Sequence, residues 1–224
     1  MLKKYWLHHH VTLAKKRYAT GTRKARMQEM LKRMKLREGM RVVDFGGAPE
    51  FWKDCSVPLD LTIANLPGFN QPDPDQGIHQ MTLVDGDACD MVFDDMSFDL
   101  SFSNSVIEHV GDERKQAAMA NEVRRLAPAY WVQTPAIWFP IEAHNNMPFW
   151  WFYPEALKKA QIERWRKKLP AWTEMVETTT LVSLSSMREM FPDGQVFREW
   201  SYGFLKSYSL FKPPTFSDSS ETMK

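Results

Sequence analysis

The sequence predicts an α/β fold in which a seven-stranded, mostly parallel sheet is doubly wound, with helices on both faces. From residue 41 onward, short apolar runs alternate with loops and one clear helical segment, which is the pattern of parallel strands joined by crossovers. The last two strand-like runs are separated by a tight turn at Gly203, which predicts an antiparallel closing strand.

The predicted elements follow this apolar pattern along the chain. The strands are RVVDF, LDLTIANL, HQMTLVD, FDLSFSNS, AYWVQTP, QVFREWSYG and LKSYSLFKP. The segment DERKQAAMANEVRRL is expected to be a helix between the fourth and fifth strands. Ser186 and Glu189 predict a capping box at the start of a later helix.

A basic helical segment, residues 1–40, is expected to precede the sheet. Its proline-free part, residues 11–37, spaces Met27, Met30 and Met34 along one helical face. The first 41 residues carry 13 Lys and Arg against two acids, although the whole chain has a net charge of only +1. Such a segment suits a solvated helix face, an anionic membrane surface or acidic substrate, or nucleic acid.

The main domain is expected to span residues 41–213, with residues 214–224 as a flexible tail. Within it, residues 145–180 break the alternation, because they are dense in aromatic and basic residues, and they predict a helical insertion. Three interpretations stay open: a helix packed on its own domain, a lid over an apolar substrate, and a segment at a membrane interface, where Trp, Lys and Arg are favoured.

The composition of the chain argues against several classes of protein. Cys55 and Cys89 are too few for a disulfide framework or a thiolate metal site, so we expect a reducing, cytoplasmic setting. No apolar run reaches the roughly 18 residues that span a bilayer, and the amino terminus lacks the apolar core of a secretion signal. Three adjacent histidines at 8–10 cannot all face one ion, so no metal is assigned.

The stretch DFGGAPEF after the first strand predicts a ligand-binding loop. Asp44 at the strand end is followed by Gly46 and Gly47, which let the backbone approach a ligand closely. The G-x-G-x-x-G pattern that fits a pyrophosphate is absent. A ligand with a carboxylate and an ammonium group fits better, with Asp44 favouring the ammonium.

The stretch VVDFGG followed by GDACDMVFDDMSFDLSFSNSVIEHV resembles the first and middle motifs of class I S-adenosylmethionine-dependent methyltransferases. The resemblance runs from about residue 40 to 212. It implies a Rossmann-like fold and S-adenosylmethionine as cofactor, with contacts from the glycine loop, the ribose and adenine positions and the end of the fourth strand. The residues at those positions are Asp44, Gly46, Gly47, Asn65, Asp87, Ala88, Ser103 and Asn104.

The sequence departs from the family pattern at two places. The usual third glycine is absent, and Pro49 and Glu50 occupy that region. Asn65 stands where the family has an acid for the ribose, and an amide lacks the stronger charge-assisted hydrogen bond.

Two histidines are candidate general bases. His144 belongs to a Glu-x-His segment with Glu142 after the fifth strand, as in many family members, and His109 follows the fourth strand. A base is needed only if the acceptor is a protonated nucleophile such as a hydroxyl. We favour His144, although either histidine could instead serve only to shape its loop. Gln133 and Thr134 could contact the acceptor.

These residues favour methyl transfer to a small-molecule, glycan or lipid-linked acceptor at oxygen. The basic segment and the insertion would suit an anionic acceptor or peripheral membrane contact. Two alternatives are an RNA or other nucleic-acid methyltransferase, for which no RNA-binding module or base-methylation signature is present, and a catalytically silent cofactor-binding module. The acceptor and the oligomeric state are not identified by the sequence.

Overall fold

In the computed structural model, which describes residues 21–70 and 77–216, one sheet of seven strands runs through the described chain. The strands are ordered β3-β2-β1-β4-β5-β7-β6. Strand β7 runs antiparallel to the other six strands, which all run in one direction. The predicted fold class is therefore confirmed. The strands are β1 (Arg41–Phe45), β2 (Asp60–Asn65), β3 (Gln80–Asp85), β4 (Leu100–Asn104), β5 (Ala129–Pro135), β6 (Gln195–Ser201) and β7 (Phe204–Lys212).

Helices cover both faces of this sheet. Helix α1 is described from residue 21 to residue 34, and a short 3-10 turn spans Trp150–Phe152. The remaining helices are α2 (Pro49–Trp52), α3 (Glu113–Leu126), α4 (Glu155–Arg166), α5 (Pro170–Thr178) and α6 (Leu184–Met190). The expected helical insertion is thus the 3-10 turn with α4 and α5, between β5 and α6.

The alternation of side chains along each strand builds two apolar layers. On β1, Val42 packs in the layer that α1 and α2 cover, whereas Val43 and Phe45 pack in the layer under α3 and α6. In α1, Met27, Met30 and Met34 are fully buried, as their spacing predicts. The described part of the basic segment therefore belongs to the core. Residues 1–20 and 217–224 lie outside the described residues, so the domain division stays a prediction.

The pairing of β1 with β4 places the strand-order reversal at the centre of the sheet. Because β1, β4 and β5 run parallel, their carboxyl ends meet at one edge, where ligands bind in open α/β sheets. The loops after these three strands are the ones that carry the predicted site residues.

One local expectation is corrected and one is met. Helix α6 begins earlier than the predicted capping box, because Ser183 is the N-cap and its hydroxyl accepts a bond from the Ser186 backbone amide. The helix after the glycine loop, α2, lasts one turn. The tight turn between β6 and β7 has positive φ at Tyr202 and Gly203, which suits a two-residue hairpin.

Among the described helices, none combines the length and the apolar character that a bilayer span requires.

Candidate functional site

A cavity of about 1100 Å³ opens at the carboxyl ends of β1, β4 and β5. It is larger than the roughly 300–1,000 Å³ of a typical small-molecule pocket, so it has room for a cofactor and an acceptor together. Its walls come from the glycine loop, α1, the segment after β5 and β7. The polar residues that line it include Arg23, Arg26, Asp44, Glu50, Asn104, Ser105, His109, Gln133, Glu142, His144 and Lys206.

The glycine loop is shaped by close backbone approach. Gly46 has a φ of +67°, and a Cβ at that position would lie 2.8 Å from the Val106 side chain. A Cβ on Gly47 would lie 1.8 Å from Asp44 Oδ2. Any side chain at either position would therefore displace the loop or the carboxylate beneath it.

The Asp44 carboxylate is buried and only half satisfied. Trp52 Nε1 donates to Oδ2 at 2.8 Å, whereas Oδ1 is buried without a partner among the described residues. Burial raises the pKa of Asp44 to about 8, although the Trp52 bond opposes that shift. An unpaired buried carboxylate oxygen is costly, so the loop is suited to a cationic ligand group.

Trp52 was missed by the sequence analysis. It lies on the one-turn helix α2, is fully buried, and packs edge-on against Phe102 with ring centroids 4.9 Å apart. Two large aromatic side chains directly follow Pro49 and Glu50 at the end of the glycine loop. This pair was the sequence feature that could have indicated a buried residue there.

The residues of the ribose and adenine positions lie outside the cavity lining. Asn65 Nδ2 donates to the Gly47 carbonyl and to Asn70 Oδ1, both at 3.0 Å, which ties the end of β2 to the glycine loop. Asp87 Oδ1 accepts from the Cys89 amide at 2.9 Å, and its side chain is about half exposed.

The remaining predicted cofactor residues divide between cavity and core. Asn104 lines the cavity and accepts a bond from Arg26. Ser103 is fully buried and does not line the cavity, so its side chain faces the core. Ala88 packs against the apolar layer under α3.

The structure brings Glu142, His144 and His109 into one hydrogen-bonded row. Glu142 Oε1 lies 2.8 Å from His144 Nδ1, and the two Nε2 atoms of His144 and His109 lie 2.9 Å apart. His109 Nδ1 lies 3.2 Å from Thr179 Oγ1, at the end of α5. The amides of His144 and Asn145 donate to Glu142 Oε2 at 2.7 and 2.5 Å, which fixes the carboxylate.

These partners determine where the protons of the row lie. The Thr179 hydroxyl donates to the Met175 carbonyl at 2.7 Å, so it accepts from His109 Nδ1. Glu142 accepts from His144 Nδ1. Both Nδ1 atoms therefore carry protons, and the facing Nε2 lone pairs would repel each other unless a positive charge lies between them. We assign one shared proton, so the histidine pair carries a charge of +1 next to the Glu142 carboxylate.

The electrostatics place that proton on His144. Burial, followed by repulsion from His144, lowers the pKa of His109 to about 4. Burial also opposes a charge on His144, but the hydrogen bond and the charge of Glu142 outweigh it and raise the pKa of His144 above its ordinary value. His144 is thus the imidazolium of the pair and His109 is its neutral acceptor.

Glu108 lies behind the two histidines. It is fully buried, Thr134 Oγ1 donates to its Oε2 at 2.9 Å, and burial raises the pKa of Glu108 to about 7. One oxygen of Glu108 and one nitrogen of each histidine lie within 4.8 Å of one another, a spacing that could also admit a cation. The shared proton explains the contact between the two histidine rings, so no cation is needed to explain it.

Arg26 is a second residue that the sequence analysis missed. It projects from α1 over the ends of β4 and β5, where Nη1 donates to Asn104 Oδ1 at 2.6 Å and lies 3.3 Å from Gln133 Oε1. Its Nε donates to Glu199 Oε2 at 2.8 Å. Arg26 precedes Met30 by four residues, so a cation on the apolar stripe of α1 was the available signal.

Comparisons with known proteins agree with this fold. A family model described as a methyltransferase domain matches residues 56–129, about a third of the chain. No curated protein has a sequence that matches significantly.

Solved structures share the fold at low sequence identity. The chain is similar to phosphoethanolamine N-methyltransferase 2 from Haemonchus contortus, in complex with S-adenosyl-L-methionine, at 14% identity and a TM-score of 0.54, covering 84% of this chain and 52% of that one. It therefore spans about half the length of that enzyme. It is also similar to the magnesium protoporphyrin IX methyltransferase of Synechocystis PCC 6803, with bound SAH, at 13% identity and a TM-score of 0.53, covering 86% and 82%.

The methyltransferase-domain match over residues 56–129, the strand order and the glycine loop at the switch point agree with the class I S-adenosylmethionine-dependent methyltransferases. The two similar structures contain S-adenosyl-L-methionine and SAH, which agrees with S-adenosylmethionine as the expected cofactor. The resemblance found in the sequence is thereby confirmed.

We predict that Asp44→Asn flattens the pH dependence of stability in the cofactor-free protein. The Asp44 carboxyl has a pKa of about 8 when folded, against about 4 in an unfolded chain. The folded state therefore binds the extra proton, and wild-type stability falls as pH rises from about 4 through about 8. Thermal unfolding is measured for both proteins at pH 5, 6, 7 and 8. The Tm of Asp44→Asn minus the Tm of wild type should increase at each step. A constant Tm difference would mean that Asp44 is not a buried, half-paired carboxyl.

Proposed function

We propose that the chain transfers the methyl group of S-adenosylmethionine to a hydroxyl oxygen of a small-molecule, glycan or lipid-linked acceptor. The observation that carries this proposal is the row Glu142–His144–His109, which lines the same cavity as Asp44 and the glycine loop. A methyl-donor pocket next to an oriented imidazole is what transfer to a protonated oxygen needs.

The glycine loop supports a binding site for the methionine part of the cofactor. S-adenosylmethionine supplies an electrophilic methyl group on a positively charged sulfur. Asp44 Oδ1, which is buried and unpaired, would gain a cationic partner from the cofactor's ammonium group, and Gly46 and Gly47 let the backbone approach it. We propose Asn65, Asp87 and Ala88 for the ribose and adenine end.

At the end of β4, we propose Asn104 as a further cofactor or acceptor contact. Its side chain lines the cavity, whereas the Ser103 side chain is buried, so Ser103 contributes only backbone. Arg26 holds Asn104 Oδ1, which fixes the orientation of the amide.

At the acceptor end, we propose His144 as the general base. Its Nε2 meets His109, and an acceptor hydroxyl that enters between the two rings would take the place of His109 as the partner of Nε2. When His144 has lost the shared proton, Nε2 can accept the hydroxyl proton as the oxygen attacks the methyl group. Glu142 then stabilises the resulting imidazolium and holds its orientation.

Most of the acceleration of methyl transfer is expected to come from positioning of the acceptor. Methyl transfer is an in-line displacement, so holding the acceptor oxygen close to the methyl carbon lowers the barrier most. His109 is positioned by Thr179, the residue directly after α5, which couples the insertion to the proposed catalytic row. The insertion also lines the cavity through Trp151. These two contacts support the interpretation of the insertion as an acceptor-side wall.

We predict that His144→Gln lowers the transfer rate roughly a hundredfold or more, because glutamine cannot accept the proton. The rate is measured as S-adenosylhomocysteine formation with an acceptor found in a panel of hydroxyl- and amine-bearing compounds. Calorimetry with S-adenosylhomocysteine should give nearly wild-type affinity, since His144 lies at the acceptor end.

The control for this prediction is His109→Gln, which keeps a polar partner for His144 and should retain much more activity. Loss of activity in His109→Gln alone would exchange the two roles. Loss of activity on treatment of the wild type with a chelator would show that the histidines hold a metal instead of a proton. Full activity of both variants would rule out general-base catalysis by this pair.

We further predict a pH–rate profile that rises with pH through a pKa above the ordinary value for histidine. The base is active only when His144 is neutral, and Glu142 raises the pKa of His144, so more alkaline conditions are needed to free it. Glu142→Gln removes the negative charge that raises the pKa of His144. The rising part of the pH–rate profile should therefore move to lower pH, and the plateau rate should fall. A rising limb that stays in place in Glu142→Gln would contradict the assignment.

We propose that the insertion, together with Trp138 just before it, contacts an anionic membrane surface peripherally, from a cytoplasmic location that suits two free cysteines. Trp138 and Phe152 stack at 5.3 Å and are more than half exposed, and α4 next to them buries no residue and carries several Lys and Arg. Exposed aromatic residues beside cations favour an interface with anionic lipid.

Sedimentation with phosphatidylserine-containing vesicles tests this contact. Trp138→Ser should lower the bound fraction several-fold, because it removes an aromatic side chain that would enter the interface. Trp200→Ser is the matched control, since Trp200 is equally exposed on β6. Equal binding of both variants and of wild type would exclude the stacked Trp138–Phe152 surface as the contact.

A further inference from the structure

Two carboxamide side chains lie next to each other at the ends of β4 and β5. Asn104 and Gln133 are register partners on these parallel strands, and both line the cavity. Gln133 is 1% exposed and Asn104 is half-buried. Neighbouring strands lie about 4.8 Å apart, so the two side chains can meet one small ligand group between them.

The oxygen atom of each carboxamide is already occupied. Arg26 Nη1 donates to Asn104 Oδ1 at 2.6 Å and lies 3.3 Å from Gln133 Oε1 as a second donor contact. Ser105 Oγ also donates to Gln133 Oε1, at 2.9 Å. A guanidinium group can only donate, so each amide has to face Arg26 with its oxygen. The partners therefore fix the orientation of both amides.

The nitrogen atom of each carboxamide, by contrast, remains available as a donor. Neither Asn104 Nδ2 nor Gln133 Nε2 forms a hydrogen bond with any of the described residues. Those residues do not enclose either nitrogen completely, so both are accessible from the cavity that the two side chains line. An amide donor held at a buried site without an acceptor costs free energy. The pair is therefore prepared to donate to a ligand.

The surroundings of the pair favour a neutral ligand oxygen. Arg26 Nε donates to Glu199 Oε2 at 2.8 Å, so the cation behind the amides already has a carboxylate partner. Glu142 also lines the cavity, as a negative charge that an anionic group would meet. A carbonyl oxygen has two lone pairs, which match two N–H donors without adding charge.

We propose that the methyl acceptor carries a carbonyl oxygen, which accepts hydrogen bonds from Asn104 Nδ2 and Gln133 Nε2 while the acceptor hydroxyl faces His144. Strand β5 leads into the segment that carries His144, and β4 separates it from β1 and the glycine loop, which favours the acceptor over the cofactor as the ligand. A compound without that oxygen would leave both donors unpaired. Arg26 is a positioning residue here, because it acts through the two amide oxygens. This inference rests on the proposed function, because it names the substrate class of the same site.

Matched pairs of probes test this site in the protein with S-adenosylhomocysteine bound. Calorimetry compares the ortho, meta and para isomers of hydroxyacetophenone with the same isomers of ethylphenol, so that each pair differs only by a carbonyl oxygen in place of two hydrogens. The isomers sample different distances between the hydroxyl and the carbonyl group. We expect at least one ketone to bind roughly tenfold more tightly than its partner, as two hydrogen bonds to otherwise unpaired donors imply.

Gln133→Glu and Asn104→Asp should each abolish most of that preference. Each variant keeps an oxygen for Arg26 and replaces the donating nitrogen by a second oxygen, which repels a carbonyl oxygen. Gln195→Glu is the matched control, because it makes the same change at an exposed residue of β6 and should leave the preference intact. Thermal unfolding shows whether each variant folds, and if one does not, the other carries the test.

The outcomes separate this inference from the proposed function. If S-adenosylhomocysteine binds but no ketone is preferred over its partner, the acceptor site takes no carbonyl group and methyl transfer still stands. If the preference persists in a folded Gln133→Glu or Asn104→Asp variant, the two-donor site is wrong. If these variants instead lose affinity for S-adenosylhomocysteine without any probe, the donors belong to the cofactor and the inference is also wrong. If S-adenosylhomocysteine does not bind to the wild type, the proposed function fails, and this inference fails with it.

Discussion

The pairing of β1 with β4 is the constraint on which the site depends. At this switch point the strand order reverses, so the loops after β1, β4 and β5 converge on one crevice. The glycine loop then supplies a buried carboxylate, Asp44, on one side, and the segments after β4 and β5 supply His109 and His144 on the other. Asp44 and the two histidines therefore line one cavity, in which we propose that cofactor and acceptor meet.

Charge placement gives this cavity its direction. The half-paired Asp44 favours a cation in the glycine loop, and Arg26 and Lys206 pair with the same carboxylate, Glu199, beside the ends of β4 and β5. Between them, two imidazoles in contact through Nε2 hold one proton, because both Nδ1 atoms are already occupied. The half-paired carboxylate and the two facing imidazoles are costly when buried alone, so each is best explained by the ligand or proton that completes it.

The periodicity of apolar residues was sufficient to predict the fold. It predicted only part of the site. Strand runs and the methionine stripe of α1 follow directly from burial on two faces, so they could be predicted. The partners of Asp44 and His109 could not, because Trp52 and Thr179 meet them only through tertiary packing and neither carries a motif. The Glu142–His144 pairing was visible as a two-residue spacing. Its extension to His109 joins loops 35 residues apart in sequence, which only the tertiary fold brings together.

The protonation of the histidine pair is the central claim, and side-chain ¹⁵N NMR tests it most directly. Long-range ¹H–¹⁵N correlation spectra of the protein with S-adenosylhomocysteine, assigned with His109→Gln and His144→Gln, report the state of each ring nitrogen near pH 6.5. The account predicts an imidazolium signature for His144 and a neutral ring protonated at Nδ1 for His109. A neutral His144, or a charged His109, under these conditions would contradict it.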